Sequence, residues 1–356
     1  MTSNKTSHKT GETTGDTATW NRQDHPGKLL RIGGSLIDNG RGDKARTMAI
    51  EALGDRPDDP LVAAVARRIF QYEMPGFHRD MLLDRARNAA YRTAIEANAR
   101  GRTVLDIGTG SGLLAIMAAK AGAAHVYACE GNAMLAATAR TIVEANGLSD
   151  RITVFTTHSS RLDRNKDLGG GVDMIVSEVF ADDLLGEYVL PTLDHARAEL
   201  CAPGAIILPE SAEIIVALAD YPQKPADLSD IEGVDLSLFT PHARLHPTVR
   251  NGDPSFIVRS DPASMFHFDF SKGLPSERQS NVTLQSHGGS VGGIAQWLRI
   301  GFGGGVAYEN APGGDSDAHW GVCWTPLAEV LETRPGERFD VGGWHDDVAL
   351  VLWDEG

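Results

Sequence analysis

The sequence predicts an α/β fold in which a doubly wound, mostly parallel sheet is preceded by a group of helices and followed by a β-barrel-like domain. From residue 102 to residue 208, apolar strand patterns alternate with helical patterns, which is typical of a parallel sheet covered on both faces. After Pro209 the helical patterns end, and short alternating runs such as MFHFDF indicate an antiparallel sheet or barrel. Ligands of a doubly wound sheet bind at the C-terminal ends of its strands, so we expect the functional residues there.

The N-terminal part divides into a tail and a helical segment. Residues 1–24 are polar and lack the apolar core of a signal peptide, so we expect a disordered tail. Residues 25–70 follow a helical pattern with Gly-rich and Pro-rich breaks, and Ala45, Ala49 and Pro57 resemble one tetratricopeptide helical pair. Because a single pair cannot bury its apolar face alone, we expect a cap on the neighbouring domain or a contact with a second chain. A peptide-binding groove is the alternative.

Two further domains are predicted after the helical segment. Residues 71–209 carry the parallel sheet with its helices, and residues 210–356 carry the barrel-like domain. Residues 220–250 are rich in Pro, Asp and His and interrupt the strand patterns, which indicates an inserted excursion.

Composition excludes several classes of function. With 42% apolar residues, a chain of 356 residues can bury the cores of two domains. The formal net charge of −15 argues against a nucleic-acid partner and favours a cationic substrate. No apolar stretch approaches the ~20 residues of a membrane helix, so we expect no membrane partner. The cysteines lie in apolar runs, which indicates buried thiols and a cytoplasmic protein.

A glycine-rich turn follows the first strand of the predicted sheet. In VLDIGTGSGLL, Gly108, Gly110 and Gly112 allow backbone N–H groups and a helix N-terminus to approach a ligand closely. Glu130 ends the second strand, HVYACE, where a carboxylate can accept hydrogen bonds from both ribose hydroxyls. The two signals together predict a nucleotide pocket.

Other polar residues around this pocket distinguish between nucleotide cofactors. Asp106 precedes the glycines, and Ser159 and Ser160 follow the third strand, where adenine would be held. This set resembles the class I S-adenosylmethionine methyltransferases more than NAD enzymes, which implies S-adenosyl-L-methionine as cofactor and S-adenosyl-L-homocysteine as product. The alternatives are that Asp106 only braces the turn and that the two serines are ordinary loop residues.

An acidic loop lies directly behind the fourth strand. Its sequence, SEVFADDLLGE, places Glu178, Asp182, Asp183 and Glu187 at the end of the apolar run VDMIV. A solvated run of acids is the ordinary explanation of such a loop, but the position at a strand end favours a cation-binding site.

Three stretches together resemble the protein arginine methyltransferase family. HRDMLLDRARNAAY resembles the helix that covers the cofactor, and Glu178 and Glu187, nine residues apart, match the family's double-glutamate loop. AHWGVCW resembles its Thr-His-Trp loop, with Ala318 in place of the usual Thr. The resemblance covers about residues 70–350. It extends to the ninth-type and seventh-type branches and to bacterial enzymes that methylate free arginine in nitrosourea-antibiotic (streptozotocin-type) pathways.

The resemblance implies roles for residues that flank the pocket. Arg87 would pair with the methionine carboxylate of the cofactor, with His78 beside it. Asp84 would face His319, and this pair could carry a proton toward solvent or only position the substrate.

Two aromatic residues complete the site that the resemblance implies. Tyr72 matches the second tyrosine of the family's N-terminal Tyr-Phe-x-x-Tyr motif, whereas Arg68 replaces the first. Trp320 would pack against the aliphatic stem of the substrate, with core filling as the alternative.

The acidic loop has a chemical reason in this reaction. A guanidinium is always protonated, and the methyl donor is itself a cation, so two positive charges about 6 Å apart repel by roughly 3 kcal/mol at an effective dielectric of about 20. Glu178 and Glu187 can offset this repulsion and hold one nitrogen in line with the methyl group. Asp182 and Asp183 are either solvated or bind further positive charge, such as an α-ammonium group.

We predict an S-adenosylmethionine-dependent N-methyltransferase of the arginine guanidino group, without a metal site. The composition is that of a GC-rich bacterial genome, so free L-arginine in specialised metabolism is preferred as the substrate, with N(omega)-methyl-L-arginine as the product. A protein arginine side chain is the first alternative, and a non-catalytic adaptor on a methyltransferase scaffold is the second. The family's dimerisation arm would lie at residues 220–250, which implies a homodimer.

Overall fold

The structure, a computed structural model, describes residues 19–72, 77–222, 228–242, 248–314 and 318–356. The chain divides into two compact units, Met1–Met74 and Pro75–Gly356. Within the described ranges, no helix combines the length and the apolar character that crossing a membrane requires.

Three helices that pack against one another form the N-terminal unit. They are α1 (Pro26–Asp38), α2 (Gly42–Asp55) and α3 (Pro60–Phe70). The side chains of His25 and Asp59 cap α1 and α3, and both of these helices begin with proline, whose missing N–H leaves no donor unpaired at that position. Ala45 and Ala49 of α2 are fully buried, so small side chains let the helices approach closely.

The last residues of the predicted tail, 19–24, lie within the described part of the chain. Asn21 and Asp24 form a hydrogen-bonded turn, because the Asp24 side chain accepts from the backbone N–H of Asn21 and from Lys28. Residues 1–18, which make up most of the tail, lie outside the described residues.

The second unit begins with helices and a parallel sheet. Its helices are α4 (Phe77–Leu83), α5 (Arg85–Asn98), α6 (Leu113–Lys120), α7 (Ala133–Ala145) and α8 (Val189–His195). Its parallel strands are β1 (Thr103–Ile107), β2 (His125–Glu130), β3 (Ile152–Thr156), β4 (Val172–Ser177) and β5 (Cys201–Leu208). The strand order is β3-β2-β1-β4-β5, so the order reverses between β1 and β4. A crevice at such a reversal is where doubly wound sheets bind ligands.

Antiparallel strands make up the rest of the second unit. They are β6 (Ser211–Asp220), β7 (Thr248–Val249), β8 (Ile257–Val258), β9 (Ala263–Asp269), β10 (Gln279–Gln285), β11 (Gly289–Gly301), β12 (Ala307–Glu309), β13 (Val322–Thr333), β14 (Arg338–His345) and β15 (Leu350–Asp354). One sheet has the order β7-β13-β11-β6-β8, with β12 on β11 and β9 on β6, and a smaller sheet has the order β10-β14-β15. One hydrophobic core continues from β1 and β4 into β6 and β11.

The predicted fold class is confirmed: helices precede a doubly wound parallel sheet, and a barrel-like set of antiparallel strands follows it. The domain boundaries stay predictions. Within the predicted excursion, residues 228–242 contain an isolated bridge between Ile231 and Val234 and a short 3-10 helix, Ser237–His242. Residues 223–227 and 243–247 of that excursion lie outside the described residues.

Candidate active site

The glycine turn after β1 has the backbone conformation that its sequence predicts. Gly108, Gly110 and Gly112 have backbone φ angles of +71°, +53° and +85°, which residues other than glycine rarely adopt. A Cβ at Gly108 would lie 2.6 Å from Cγ1 of Val179, so the turn and the loop after β4 approach too closely for a larger residue. Gly112 caps α6, and the N-terminus of that helix therefore begins at the turn.

Asp106 braces this turn with one carboxylate oxygen. Its Oδ2 accepts hydrogen bonds from Thr109 Oγ1 at 2.5 Å and from the backbone N–H of Ala115 at 3.0 Å. Complete burial raises the pKa of Asp106 to about 7, although both hydrogen bonds oppose the shift. Its Oδ1 is buried and has no hydrogen-bond partner among the described residues, so one oxygen is left for a ligand.

Glu130 holds the same turn from the end of β2. Its Oε2 accepts from the N–H of Gly110 at 3.0 Å, and its Oε1 accepts from the N–H of Asn132 at 2.8 Å. Each carboxylate oxygen keeps a further lone pair, so these bonds are compatible with the predicted contact to a ribose.

The segment after β3 lies beside Glu130. Ser159 is buried and Ser160 is exposed, and both belong to a short 3-10 helix, Ser159–Arg161. His158 packs against Gly131, where an added Cβ would lie 2.6 Å from the imidazole ring. His158 was not among the predicted residues, although its place directly before the two serines is a usable signal.

Glu178, the first residue after β4, is buried between Arg87 and His319. Its Oε2 lies 2.7 Å from Nη2 of Arg87, and its Oε1 lies 3.6 Å from Nε2 of His319. The side chains of Glu178 and Arg87 are 7% and 3% exposed, so water screens this ion pair little. The Tyr91 hydroxyl donates to the Ser177 carbonyl at 2.8 Å and ties α5 to the end of β4.

Asp84, the residue before α5, collects four hydrogen bonds. Its Oδ2 accepts from the Tyr308 hydroxyl at 2.6 Å, from the N–H of His319 at 3.2 Å, and contacts Nδ1 of His319 at 3.1 Å. Its Oδ1 accepts from the N–H of Arg87 at 2.9 Å, which caps α5. His319 therefore lies between the carboxylates of Asp84 and Glu178.

The contacts of Asp84 and His319 determine the protonation states of these two side chains. Burial acts to raise the pKa of Asp84, but the bonds from His319, Tyr308 and two backbone N–H groups outweigh it and lower that pKa. Burial acts to lower the pKa of His319, but Asp84 and Glu178 outweigh it and raise that pKa. The stable state is an ionised Asp84 beside a His319 that holds its proton more strongly than a free imidazole.

Glu187 lies at the exposed end of the acidic loop. Partial desolvation and repulsion from Glu178 and Asp182 raise its pKa. Leu184 and Tyr188 have positive backbone φ angles of +74° and +61°, which residues other than glycine rarely adopt. The loop is thus held in a strained conformation that places several carboxylates together.

The other two acids of the loop are not simply solvated. Asp182 Oδ1 accepts from the N–H of Gly321 at 2.9 Å, and Oδ2 accepts from Thr248 Oγ1 at 3.3 Å. Asp183 Oδ1 accepts from the N–H of Gly186 at 2.9 Å and closes the turn before Glu187. Asp182 joins the acidic loop to the segment that carries His319, a structural role that the sequence did not reveal.

Trp320 differs from its predicted role. Its indole nitrogen donates to the Phe180 carbonyl at 3.0 Å, and its ring makes edge contacts with Phe180 and Tyr308. The residue is 3% exposed and belongs to the hydrophobic core, because a large apolar ring gains most when neighbours surround it. The structure therefore favours the alternative, core filling beneath the site.

His78 and Tyr72 complete the predicted set. Burial lowers the pKa of His78, although the negative charges of Glu130 and Glu178 act to raise it. The ring of His78 therefore interacts electrostatically with both carboxylates. Tyr72 follows α3 in the N-terminal unit and is 38% exposed. Its predicted contact with the substrate stays a prediction.

Tyr308 is a second residue that sequence analysis missed. It lies on β12, 224 residues from Asp84 in the chain, and it donates the shortest hydrogen bond that Asp84 receives, at 2.6 Å. No motif marks this position, because only the pairing of β12 with β11 brings it to the site.

The residues at the β1 end fit S-adenosylmethionine. Asp106 Oδ1 and Arg87 Nε are buried without hydrogen-bond partners among the described residues, and buried unpaired polar groups are rare. The amino-acid end of the cofactor carries an α-ammonium and an α-carboxylate, which match a carboxylate and a guanidinium. The positive φ angles of the glycine turn leave room for a ligand against the backbone.

Comparison with known proteins supports this assignment. Residues 91–207 match the family of ribosomal protein L11 methyltransferase (PrmA). An "Arginine N(omega)-methyltransferase" from Streptomyces achromogenes subsp. streptozoticus is 36% identical over 339 residues, which cover 91% of this chain and 92% of that protein. The chain belongs to the arginine N-methyltransferase family. "Protein arginine N-methyltransferase 7" of Oryza sativa subsp. indica is 35% identical over 77% of this chain, but the match spans only 40% of that longer protein.

Solved structures agree with this membership. The arginine N-methyltransferase described here superposes on Trypanosoma brucei PRMT1, from an enzyme-prozyme complex with AdoHcy, with a TM-score of 0.68 and 25% identity; the match covers 80% of this chain and 98% of that chain. Protein arginine methyltransferase 10 of Arabidopsis thaliana has the same fold, with a TM-score of 0.65 and 23% identity over 77% of this chain and 89% of that chain. The protein is thus an enzyme that uses S-adenosylmethionine to methylate arginine.

Proposed function

We propose that this enzyme methylates the guanidino group of free L-arginine and forms N(omega)-methyl-L-arginine. The observation that supports the proposal is the acidic loop, in which Glu187 lies close enough to buried Glu178 for the two carboxylates to repel each other, beside the glycine turn. The preference for free arginine is supported by the Streptomyces relative, which matches this chain over nearly its full length and whose name specifies arginine rather than a protein.

Glu178 and Glu187 bind the guanidinium from two sides. Charge-assisted hydrogen bonds to two carboxylates concentrate the positive charge on one nitrogen and fix the direction of the other. Arg87 holds Oε2 of Glu178 in place, so the carboxylate does not have to be ordered when the substrate arrives. When bound, S-adenosylmethionine supplies the methyl group from its sulfonium.

The guanidinium loses one N–H proton as the new N–C bond forms at its ω-nitrogen. Glu178 accepts this proton at Oε1 and passes it to Nε2 of His319, which lies 3.6 Å away. Asp84 stabilises the resulting imidazolium through Nδ1 at 3.1 Å. Because this pair also raises the pKa of His319, the relay works best at alkaline pH, where His319 starts unprotonated.

Mass spectrometry with methyl-labelled cofactor tests the substrate. We expect free L-arginine to be methylated at least about tenfold more efficiently, by kcat/KM, than N-acetyl-arginine-amide or an Arg-Gly-rich peptide, because a pocket for a free amino acid gains charge-assisted bonds to its two ends. A better rate with the peptide would favour the second candidate.

The second candidate is methylation of protein arginine side chains. The similarity to rice protein arginine N-methyltransferase 7 favours it. The clamp formed by Glu178 and Glu187 would act identically on either substrate, so only the ends of the substrate distinguish the two. Membership in a family of enzymes counts against the adaptor hypothesis.

The proposal includes the metabolic role of the reaction and its location in the cell. Formation of N(omega)-methyl-L-arginine for antibiotic biosynthesis is supported by the Streptomyces relative. A cytoplasmic location is supported by the free thiols of Cys129, Cys201 and Cys323, whose pKa values are all raised by burial. Deleting the gene from its host and measuring free methylarginine in the cell extract tests both statements.

A homodimer is the proposed assembly. The excursion after β6 exposes five large apolar side chains between residues 231 and 239, and Leu238 is 94% exposed. Such a patch on a single chain indicates a protein contact. The exposed apolar residues are Ile231, Val234, Leu236, Leu238 and Phe239.

Light scattering tests the assembly. We expect about twice the chain mass of 38.1 kDa at micromolar concentration, and we expect Leu238→Asp to shift the protein toward the monomer. Ser237→Asp is the matched control, since it adds the same charge next to Leu238 without removing an apolar side chain. A stable monomer of the unmodified protein would contradict the proposal.

A further inference from the structure

A cleft of about 500 Å³ opens beside His319 on the second unit. This volume lies within the ~300–1,000 Å³ that is usual for small-molecule sites. The charged lining residues of the cleft are three arginines, Arg79, Arg85 and Arg250, and two acids, Asp80 and Asp182, and Asn251 lies beside them. Three guanidinium groups around one cleft are notable in a chain whose net charge is −15.

Two of these arginines lie in segments that are tied to the His319 segment. Arg85 follows Asp84, whose carboxylate contacts His319 Nδ1 at 3.1 Å. Arg250 follows β7, which pairs with β13 directly after the His319 segment. The hydrogen bond from Asn251 Nδ2 to the Trp320 carbonyl, at 3.0 Å, ties the Arg250 side of the cleft to the same segment.

Two of the three arginines of the cleft have no ion-pair partner in the described part of the chain. Among the described residues, neither Arg85 nor Arg250 makes an ion pair, and Arg79 contacts only Asp80, at 3.7 Å. Asn251 is 4% exposed, and its Oδ1 is buried without a hydrogen-bond partner in the described part of the chain. Guanidinium groups bind carboxylates in a bidentate way, so this cleft suits an anion next to the guanidinium site.

We propose that this cleft holds the amino-acid end of free L-arginine, with Arg250 and Arg85 binding its α-carboxylate and with Asp182 facing its α-ammonium. This assignment rests on the proposed function and deepens it. The same cleft disfavours an Arg-Gly-rich peptide, because its lining guanidinium groups repel a polycation.

Three small substrates test the proposal on the intact enzyme. L-arginine carries the α-carboxylate, L-argininamide replaces it with a neutral amide, and agmatine lacks it while keeping the guanidine. We expect kcat/KM for L-arginine to exceed that for agmatine and for L-argininamide by at least about tenfold, as one charge-assisted contact predicts.

Variants locate the contact. In Arg250→Gln and in Arg85→Gln, we expect the ratio of kcat/KM for L-arginine to that for agmatine to fall about tenfold, mainly through KM. Arg92→Gln, an exposed arginine of α5 outside the cleft, is the matched control and should leave the ratio unchanged. Because the readout is a ratio of two substrates, a partly unfolded variant does not mimic the expected result.

The outcomes separate the two proposals. Equal efficiency with L-arginine and agmatine in the unmodified enzyme, or an unchanged ratio in both variants, overturns the carboxylate site while methylation of free arginine stands. A peptide that is methylated better than L-arginine overturns the proposed function and this inference with it.

Discussion

Two neighbouring parts of the crevice carry carboxylates of the site. Asp106 in β1 and Glu130 at the end of β2 flank the glycine turn, and the loop after β4 carries Glu178, Asp182, Asp183 and Glu187. At the β1 side, Asp106 and Glu130 accept hydrogen bonds from backbone N–H groups and thereby hold the glycine turn. At the β4 side, Glu178 faces the charged groups of Arg87 and His319. Asp106 and Glu130 hold the backbone of the glycine turn, whereas Glu178 and Glu187 are the proposed ligands of the substrate cation.

The difference between the β1 side and the β4 side explains how one crevice can bind two cations, the cofactor and the guanidinium of the substrate, each in its own place. The carboxylates of the β1 side are largely committed to the fold, and Asp106 Oδ1 is left for a ligand. The β4 loop concentrates negative charge that repels itself, since Glu178 and Asp182 raise the pKa of Glu187. A guanidinium relieves that repulsion, so the β4 side has the stronger preference for a positively charged substrate.

The largest expected effect comes from Glu178→Gln. Loss of this charge removes half of the clamp and the proton acceptor, so we expect turnover to fall by at least ~100-fold. Buried Arg87 would also lose its carboxylate partner, and breaking a buried ion pair typically costs ~3–5 kcal/mol, so the thermal unfolding temperature should fall. Labelled methyl transfer and differential scanning calorimetry measure the two effects.

Glu144→Gln, on the exposed side of α7, is the control for this variant. It makes the same change of side chain away from the site and should alter neither quantity. If Glu178→Gln kept a tenth of the original rate, Glu178 would not be part of the clamp.

Glu187→Gln sharpens the comparison within the loop. We expect kcat/KM for L-arginine to fall ~10- to 100-fold, because a charge-assisted contact to the substrate is lost. Glu187 has a raised pKa, so its charge is destabilising in the free enzyme, and the variant should unfold at an equal or higher temperature at pH 8. A loss of stability as large as that of Glu178→Gln would mean that both glutamates are structural.

The sequence predicted the fold and the local parts of the site. Strand and helix patterns located the parallel sheet, and the glycines of the β1 turn adopt the positive φ angles that their identity permits. The contact between Asp84 and His319 followed from the family resemblance and lies at 3.1 Å in the structure. In each case the signal was a short motif whose residues sit at defined strand or helix ends.

The contacts that the sequence did not reveal join distant elements. Tyr308 reaches Asp84 across 224 residues, and Asp182 reaches the N–H of Gly321 across 139 residues. Such contacts depend on how the barrel-like strands pack on the sheet, which spacing along the chain does not encode. The same is true of the burial of Trp320, because the neighbours of an aromatic ring are set by tertiary packing.

Glu130→Ala tests the β1 side of the comparison. Loss of the bonds to Gly110 and Asn132 would loosen the glycine turn and remove the ribose contact, so we expect the dissociation constant for S-adenosylmethionine to rise about tenfold. With saturating cofactor, kcat should stay within about threefold of the original value. Isothermal titration calorimetry and saturation kinetics measure the two quantities, and unchanged affinity would refute the ribose assignment.

The smallest expected effect is the pH dependence that Asp106 gives to cofactor binding. Burial raises its pKa to about 7 from a model-compound value of 3.8, so the folded protein binds a proton that the unfolded chain has lost across this window. The contribution of Asp106 to the free energy of unfolding therefore decreases as the pH rises from about 4 to about 7.

Cofactor binding reverses this preference, because the α-ammonium of S-adenosylmethionine favours an ionised carboxylate at Oδ1. We expect the affinity to rise about threefold between pH 6.5 and pH 8, with release of part of a proton per cofactor bound at pH 6.5. Calorimetry in two buffers of different ionisation enthalpy measures that release. Asp106→Asn cannot ionise and should abolish both the proton release and the pH dependence; if the variant kept both, the titrating group would lie elsewhere in the crevice.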